Sequence, residues 1–279
     1  MLVVRQSMNE SAAAQEKEKQ MNYQNLTVTI GDDFVGEIML NRPEHLNTFN
    51  SPMALELDQA FHALDKERMV RVIILKGAGK AFCAGIDVSE FFEKNTMEYR
   101  SWVERMENPL ITISRISKPV IAQVQGVAAA NGAGLVAASD LAVMAENARL
   151  GLTAINVGLN CVGPVVPVSR SVGRKRALEL LLFGELIKAD RAMAMGLVNR
   201  IVPKEDLETE TRAWAKILAK KSPIAVQIAK KAFYSAADLD YYKSFEYMNE
   251  AFARLCSTDD AKEGISSFLE KRIAQWKER

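Results

Sequence analysis

The chain has 279 residues, 48% of them hydrophobic and 25% charged, a balance that suits a globular protein with one large core and excludes a fibrous or wholly disordered one. Lys and Arg total 36 against 35 Asp and Glu, so a net charge of +1 gives no field for holding nucleic acid or an anionic membrane. Three cysteines without close spacing and only two histidines, His45 and His62, argue against a disulfide framework, a Cys- or His-based metal site and a Ser-His-Asp triad.

Residues 1-22 carry one short apolar run, Leu2 to Val4, and then Glu, Lys and Gln. They read as a disordered lead-in, too poor in apolar residues for a signal peptide or a membrane span. No other stretch is long and apolar enough to cross a bilayer, and a cytoplasmic, reducing setting is expected. "NLTVTI" and "FVGEIMLNRP", split by Asp32-Asp33, predict a hairpin that opens a sheet. "SPMALELDQAFHALDKE" predicts a helix over Ser51 to Glu67, with Ser51 as its cap and a proline in its first turn. Three apolar runs then predict buried strands: "VRVIILKGAG", "KPVIAQVQG" and "DLAVMAE". Helices alternate with them, so the fold class is α/β, a mostly parallel sheet covered by helices.

From "GRKRALELLLFGELI" onward the pattern is helical, with helices expected over Leu207 to Lys221, Pro223 to Ala236 and Tyr241 to Leu255 and in "DDAKEGISSFLEKR". The basic clusters Arg174-Lys175-Arg176 and Lys220-Lys221 are flanked by acids and read as solvated helix faces. Three regions follow: the lead-in at 1-22, a core over 23-202 and a helical region over 203-279.

Two glycine-bearing turns come after buried strands, "AGKAFCAGIDVSEF" and "GVAAANGAGLVAASDLAV". A helix that starts just past such a turn presents free N–H groups, which can hold an anion or a developing oxyanion. Gly126, Gly132 and Gly134 do not have the G-x-G-x-x-G spacing, and no phosphate-loop lysine follows. Small residues here also suit close packing of helix on sheet, and spacing leaves that reading open.

The blocks "FCAGIDVSEF", "KPVIAQVQGVAAANGAGLVAASDLAV", "GLNCVGPVVPVSRSVGRKRALELLLFGELIKADRAMAMGLVNRIVP" and "DDAKEGISSFLEKR" resemble, in order, the enoyl-CoA hydratase/isomerase (crotonase) superfamily. The resemblance runs from about Asn25 to Arg272. It implies a crotonase-like spiral of ββα repeats with an all-helical C-terminal trimerisation region, and a homotrimer or a homohexamer built as a dimer of trimers. It implies acyl-CoA thioester substrates, coenzyme A entering as part of the substrate, no separate cofactor and no metal. The backbone N–H groups of an oxyanion hole fall on Ile86 and Asn131. Residues 130 and 131 are not glycine, as they usually are in the family, so Asn131 is expected to take up the required left-handed backbone. Contacts to coenzyme A fall on Arg42, Leu46, Asn47, Ala84, Gly85, Asp87 and Val88, with Phe268 and Lys271 reaching the coenzyme of a neighbouring subunit. Phe268 reads equally well as a packing aromatic between subunits.

The family's hydratases move protons with two glutamates, and those positions here are Gly134 and Ala154. Neither side chain can carry a proton, which speaks against the two-glutamate hydratase mechanism. Replacing both with Glu would then supply the missing groups to an otherwise intact site. Other branches place a carboxylate at positions matching Cys161 or Val162. The polar groups left near there are Asn156, Asn160 and Cys161, with Asn160 suited to orienting a water or carbonyl and Cys161 reading as a buried thiol or a nucleophile. Glu90, Glu93, Glu98 and Glu104 follow the first turn; Glu90, Glu93 and Glu104 read as solvent-facing acids, and one of them, or Tyr99, could be recruited as a base. Asp87 reads as a support for the loop. The function expected is an acyl-CoA enzyme that stabilises a thioester enolate by a non-standard proton route; the alternative is a non-catalytic acyl-CoA binder of the same fold.

Overall fold

β1 (Leu26–Ile30) and β2 (Val35–Leu40) form the expected hairpin, antiparallel with Leu26 opposite Leu40, in a computed structural model that describes residues 23–278. The lead-in expected at 1-22 lies outside the described residues. β3 (Val72–Gly77) adds parallel to β2, then β4 (Val120–Val124), β6 (Leu141–Ala145) and β9 (Arg200–Val202) follow in parallel. The result is a six-stranded sheet in the order β1-β2-β3-β4-β6-β9. Val72 to Leu75 and Val120 to Ala122 are all buried, as expected for strands covered on both faces.

A second sheet was not expected from the sequence. It holds β5 (Val127–Ala129), β7 (Arg149–Gly151) and β8 (Ile187–Lys188), with β5 and β7 parallel and β7 and β8 antiparallel. β4 and β6 lie in the large sheet while their successors β5 and β7 lie in the small one, so each repeat turns the chain from one sheet into the other. Cys83 extends the small sheet as an isolated parallel bridge to Ala128. Three passes of the spiral therefore lie side by side at Cys83, Ala128 and Leu150.

α1 (Ser51–Lys66) buries Met53, Leu57, Phe61 and Leu64, the stripe its periodicity predicted. Its cap is Asn50 rather than Ser51: the Asn50 side chain accepts from Met53 N at 2.9 Å, while the Ser51 hydroxyl is spent on Glu90 at 2.7 Å. α2 (Thr96–Arg115) opens on a capping box between Asn95 and Glu98 and contains Pro109, which can donate no helical hydrogen bond. α3 (Asn131–Ala138), α4 (Val165–Val172), α5 (Arg174–Phe183) and α6 (Ala189–Met195) complete the repeats. Among the described residues no helix is long and apolar enough to cross a membrane.

The helical region over 203-279 is not uniform. α7 (Leu207–Ala219) buries Leu207, Ala215 and Ala219 and packs on the large sheet. α8 (Pro223–Ala236) is anchored by Lys230, whose Nζ donates to Lys118 O at 2.8 Å and to Asp140 Oδ2 at 2.7 Å. Asp140 also accepts from Val120 N and from the Tyr234 hydroxyl, so both of its oxygens face donors. α9 (Tyr241–Cys256) buries no side chain fully and exposes Tyr241, Tyr242, Phe245 and Phe252. α10 (Asp259–Leu269) exposes Ile265, Phe268 and Leu269.

Asp140→Ala strands the buried Lys230 charge and is expected to lower stability by about 3–5 kcal/mol in urea unfolding. Adding Lys230→Met to that variant removes the stranded charge, and the double variant is expected to be more stable than Asp140→Ala alone.

Candidate active site

The parallel bridge between Cys83 and Ala128 sets the site. Phe82 N and Cys83 N donate to Val127 O, each at 3.1 Å, and Ala129 N donates to Cys83 O at 2.9 Å. From this shared register each chain runs on three residues, to Ile86 and to Asn131. The backbone around Ile86 is fixed by Phe49 N donating to Gly85 O at 2.7 Å and by Asp87 N donating to Phe49 O at 2.9 Å. Gly85 has φ +110°, a conformation that an L side chain resists. Among the described residues neither Ile86 N–H nor Asn131 N–H meets an acceptor. Both border a cavity of about 530 Å³. Leu150, paired with Ala128, is followed three residues later by Thr153, so the third pass delivers Thr153 and Ala154 to the same cavity.

The left-handed backbone falls one residue earlier than expected. Ala130 carries it, with φ 48° and ψ −113°, and Asn131 is the first residue of α3. The Ala130 N–H is held by Gly151 O at 2.9 Å, and its carbonyl already accepts from Gly134 N, which fixes the peptide between two elements. The amide of Asn131 is used elsewhere: Nδ2 donates to Met106 O of α2 at 3.2 Å. Gly132 answers the packing question, since a Cβ there would land on the carbonyl oxygen of Cys83. Small residues thus serve both purposes in one stretch, a free N–H at 131 and backbone contact at 132.

The positions of the missing glutamates differ from one another. Ala154 lines the cavity. Gly134 does not: a Cβ there would lie 2.8 Å from Leu110 Cδ2 and 2.9 Å from Pro164 Cβ, so the wall is closed. Paired glutamates at 134 and 154 would therefore not simply complete the site, because the first has no room without movement of Leu110 and Pro164.

The other expected residues divide into those that reach the cavity and those that build its frame. Ala84, Gly85, Val88, Asn160 and Cys161 line it with Ile86 and Asn131. Arg42, Leu46, Asn47 and Asp87 are not among its lining residues. The fully buried Asn47 accepts from Arg42 N and donates to Ala78 O and Ala81 O, which clamps two loops together. Arg42 pairs with Asp87 at 3.0 Å and donates to Thr48 O at 2.7 Å. Although burial opposes it, the bonds from Ser89 and Arg42 hold the Asp87 carboxyl below its ordinary range. Phe268, 81% exposed, and Lys271 lie at the C-terminal end of the chain, away from this cavity.

Cys161 is 3% exposed, and burial raises its pKa, which favours the buried-thiol reading over the nucleophile one. The Asn160 side-chain carbonyl accepts from Cys161 N at 2.8 Å, leaving its NH₂ as the group available to the cavity. Glu90 is occupied by Ser51 and by the Trp102 indole at 3.1 Å. Glu98 caps α2, and Glu104 pairs with Arg100 at 3.0 Å on the exposed face. The Tyr99 hydroxyl donates to Phe91 O at 2.7 Å.

One residue was missed in the sequence. Glu107 lines the cavity and, among the described residues, is the only carboxylate that does so. Its signal was present: Tyr99, Val103, Met106 and Glu107 follow the helical spacing of one face of α2, so the acid lies on the apolar stripe.

A parallel sheet feeding a small second sheet, with helices outside, defines the crotonase fold. An enoyl-CoA hydratase of Mycobacterium smegmatis has the same architecture, with a TM-score of 0.88 at 38% identity over 90% of this chain and 98% of that one. The family model for enoyl-CoA hydratase/isomerase matches residues 31–279, and the chain belongs to that family. It is 33% identical to a short-chain-enoyl-CoA hydratase of Clostridium acetobutylicum over 85% of this chain and 92% of the relative. To the mitochondrial enoyl-CoA hydratase domain-containing protein 3 of Homo sapiens it is also 33% identical, over 88% and 81%.

Gly132→Ala is expected to push the two turns apart, lowering stability by about 1–3 kcal/mol and weakening any ligand held between them. Ala130→Gly relieves a left-handed alanine and is expected to raise stability by about 1 kcal/mol. Urea unfolding measures both.

Proposed function

We propose that the protein is an acyl-CoA enzyme in which the N–H groups of Ile86 and Asn131 hold the thioester oxygen as it takes on enolate charge. The observation that carries this reading is the pair of N–H groups that meet no acceptor among the described residues, each three residues past the Cys83–Ala128 bridge and both on residues that border one cavity. A preorganised donor of this kind contributes about 3 kcal/mol to the stability of an oxyanion in a dry site. The cavity wall is suited to an acyl chain, with Phe91, Trp102, Val103 and Met106 among its lining residues. Coenzyme A enters as part of the substrate, with its pantetheine past Ala84 to Val88 and the framed loop at Arg42 to Asn47 behind it.

The proton route differs from that of a two-glutamate hydratase, because position 134 is closed and position 154 carries a methyl group. The same two positions favour the second reading, an acyl-CoA binder without turnover. The exposed apolar faces of α9 and α10 support a homotrimer or homohexamer, with further copies of the chain covering Phe245, Phe252 and Phe268.

A panel of saturated, 2-enoyl and 3-enoyl CoA thioesters separates these readings when binding and turnover are measured together. All three classes are expected to bind, with crotonyl-CoA hydrated at least about 10²-fold more slowly than by a two-glutamate enzyme. Hydration at the ordinary rate overturns the proton argument, and binding with no turnover of any member supports the second reading. Light scattering is expected to give the mass of three or six chains, falling in the Phe245→Asp/Phe252→Asp variant.

A further inference from the structure

Proton chemistry in the cavity needs a group that can change its charge, and its walls offer few. Tyr99 has its proton engaged with Phe91 O, and Cys161 is held as a thiol by burial. Glu107 is different. It is half-buried, no hydrogen bond or ion pair holds its carboxylate among the described residues, and it faces the cavity from the turn of α2 that Asn131 grips through Met106 O. Its Oε1 lies against Gly163, where a Cβ would overlap it, so glycine at 163 leaves room for the carboxylate in this rotamer. One turn further along α2, Leu110 blocks position 134. The helix therefore closes the usual entry point of an acid and brings its own in beside it.

We propose that Glu107 is the catalytic acid/base of this site and that it carries a single proton between two carbons of a 3-enoyl thioester. This rests on the acyl-CoA reading above. The carboxylate takes a proton from C2: the C2–H bond breaks, an O–H bond forms on Glu107, and the electron pair passes to the thioester oxygen held by Ile86 and Asn131. The same proton returns to C4, and the double bond moves from C3–C4 to C2–C3. One carboxylate suffices for this shift, and nothing else is consumed.

Burial, with a smaller contribution from Glu104, raises the pKa of Glu107, so the base is less readily ionised but stronger once it is. The other titratable or charged groups around it are Tyr99 on α2 and Cys161 beyond the cavity. On its far side a second cavity, of about 820 Å³, adds Asp140, which accepts from Lys230 and from Tyr234, Tyr234 itself, and the exposed pair Arg170–Asp238.

The test uses the full chain with 3-hexenoyl-CoA in D₂O, following conversion to 2-hexenoyl-CoA and deuterium uptake, with calorimetric binding of unreactive hexanoyl-CoA in parallel. Wild type is expected to convert the substrate, with a rate that rises with pH through a midpoint above the ordinary carboxylate range. Glu107→Gln is expected to lose about 10²- to 10⁴-fold in kcat while hexanoyl-CoA binding and the near-UV spectrum stay unchanged. Glu107→Asp restores part of the rate. Glu104→Gln, on the exposed face, keeps the rate and moves the midpoint to lower pH. Unchanged conversion by Glu107→Gln overturns the assignment, as does a wild type that binds hexanoyl-CoA but neither converts nor exchanges. A wild type that fails to bind hexanoyl-CoA overturns the acyl-CoA reading itself.

Discussion

The parallel pairing of Cys83 with Ala128, and of Ala128 with Leu150, governs the rest of the molecule. Parallel strands share a direction, so equal steps from paired residues arrive at neighbouring points in space. Three residues past each pair the chain reaches Ile86, Asn131 and Thr153, all at the wall of one cavity. The register converts three distant sequence segments into one site. It also requires the two turns to touch at Gly132, where a side chain would strike the Cys83 carbonyl.

Around that register the structure separates frame from surface. Asn47 satisfies three backbone groups, Asp87 and Arg42 satisfy one another, and Glu90 ties α1 to α2 through Ser51 and Trp102. Each is a polar group withdrawn from chemistry because its partners are already present. Glu107 stands apart because, among the described residues, it has none of these bonds. What a half-buried carboxylate fails to touch is as informative as what its neighbours hold.

The long elements were legible in the sequence. Runs such as Val72 to Leu75 can only be strands buried on both faces, and the stripe from Met53 to Leu64 can only be one side of a helix. The small sheet was not legible, since β5, β7 and β8 have three, three and two residues and show no period. Its order depends on long-range pairing. Asn131 was a reasonable candidate for left-handed backbone on side-chain grounds, but the bonds of Ala130 to Gly151 and Gly134 decide the matter one residue earlier. The place of Glu107 is not legible in the sequence, because a single acid among apolar residues becomes meaningful only when the phase of α2 against the cavity is known.

The donors at Ile86 and Asn131 belong to the main chain, and this divides the site by how readily it can change. No ordinary side-chain replacement deletes a backbone N–H; only proline does. Acids and bases sit on side chains, and a single codon can add or remove one. A scaffold made this way keeps its grip on a charged oxygen through long sequence drift while its proton carrier relocates from one helix to another. The permanent half of the chemistry is encoded in strand register, and the changeable half in individual letters.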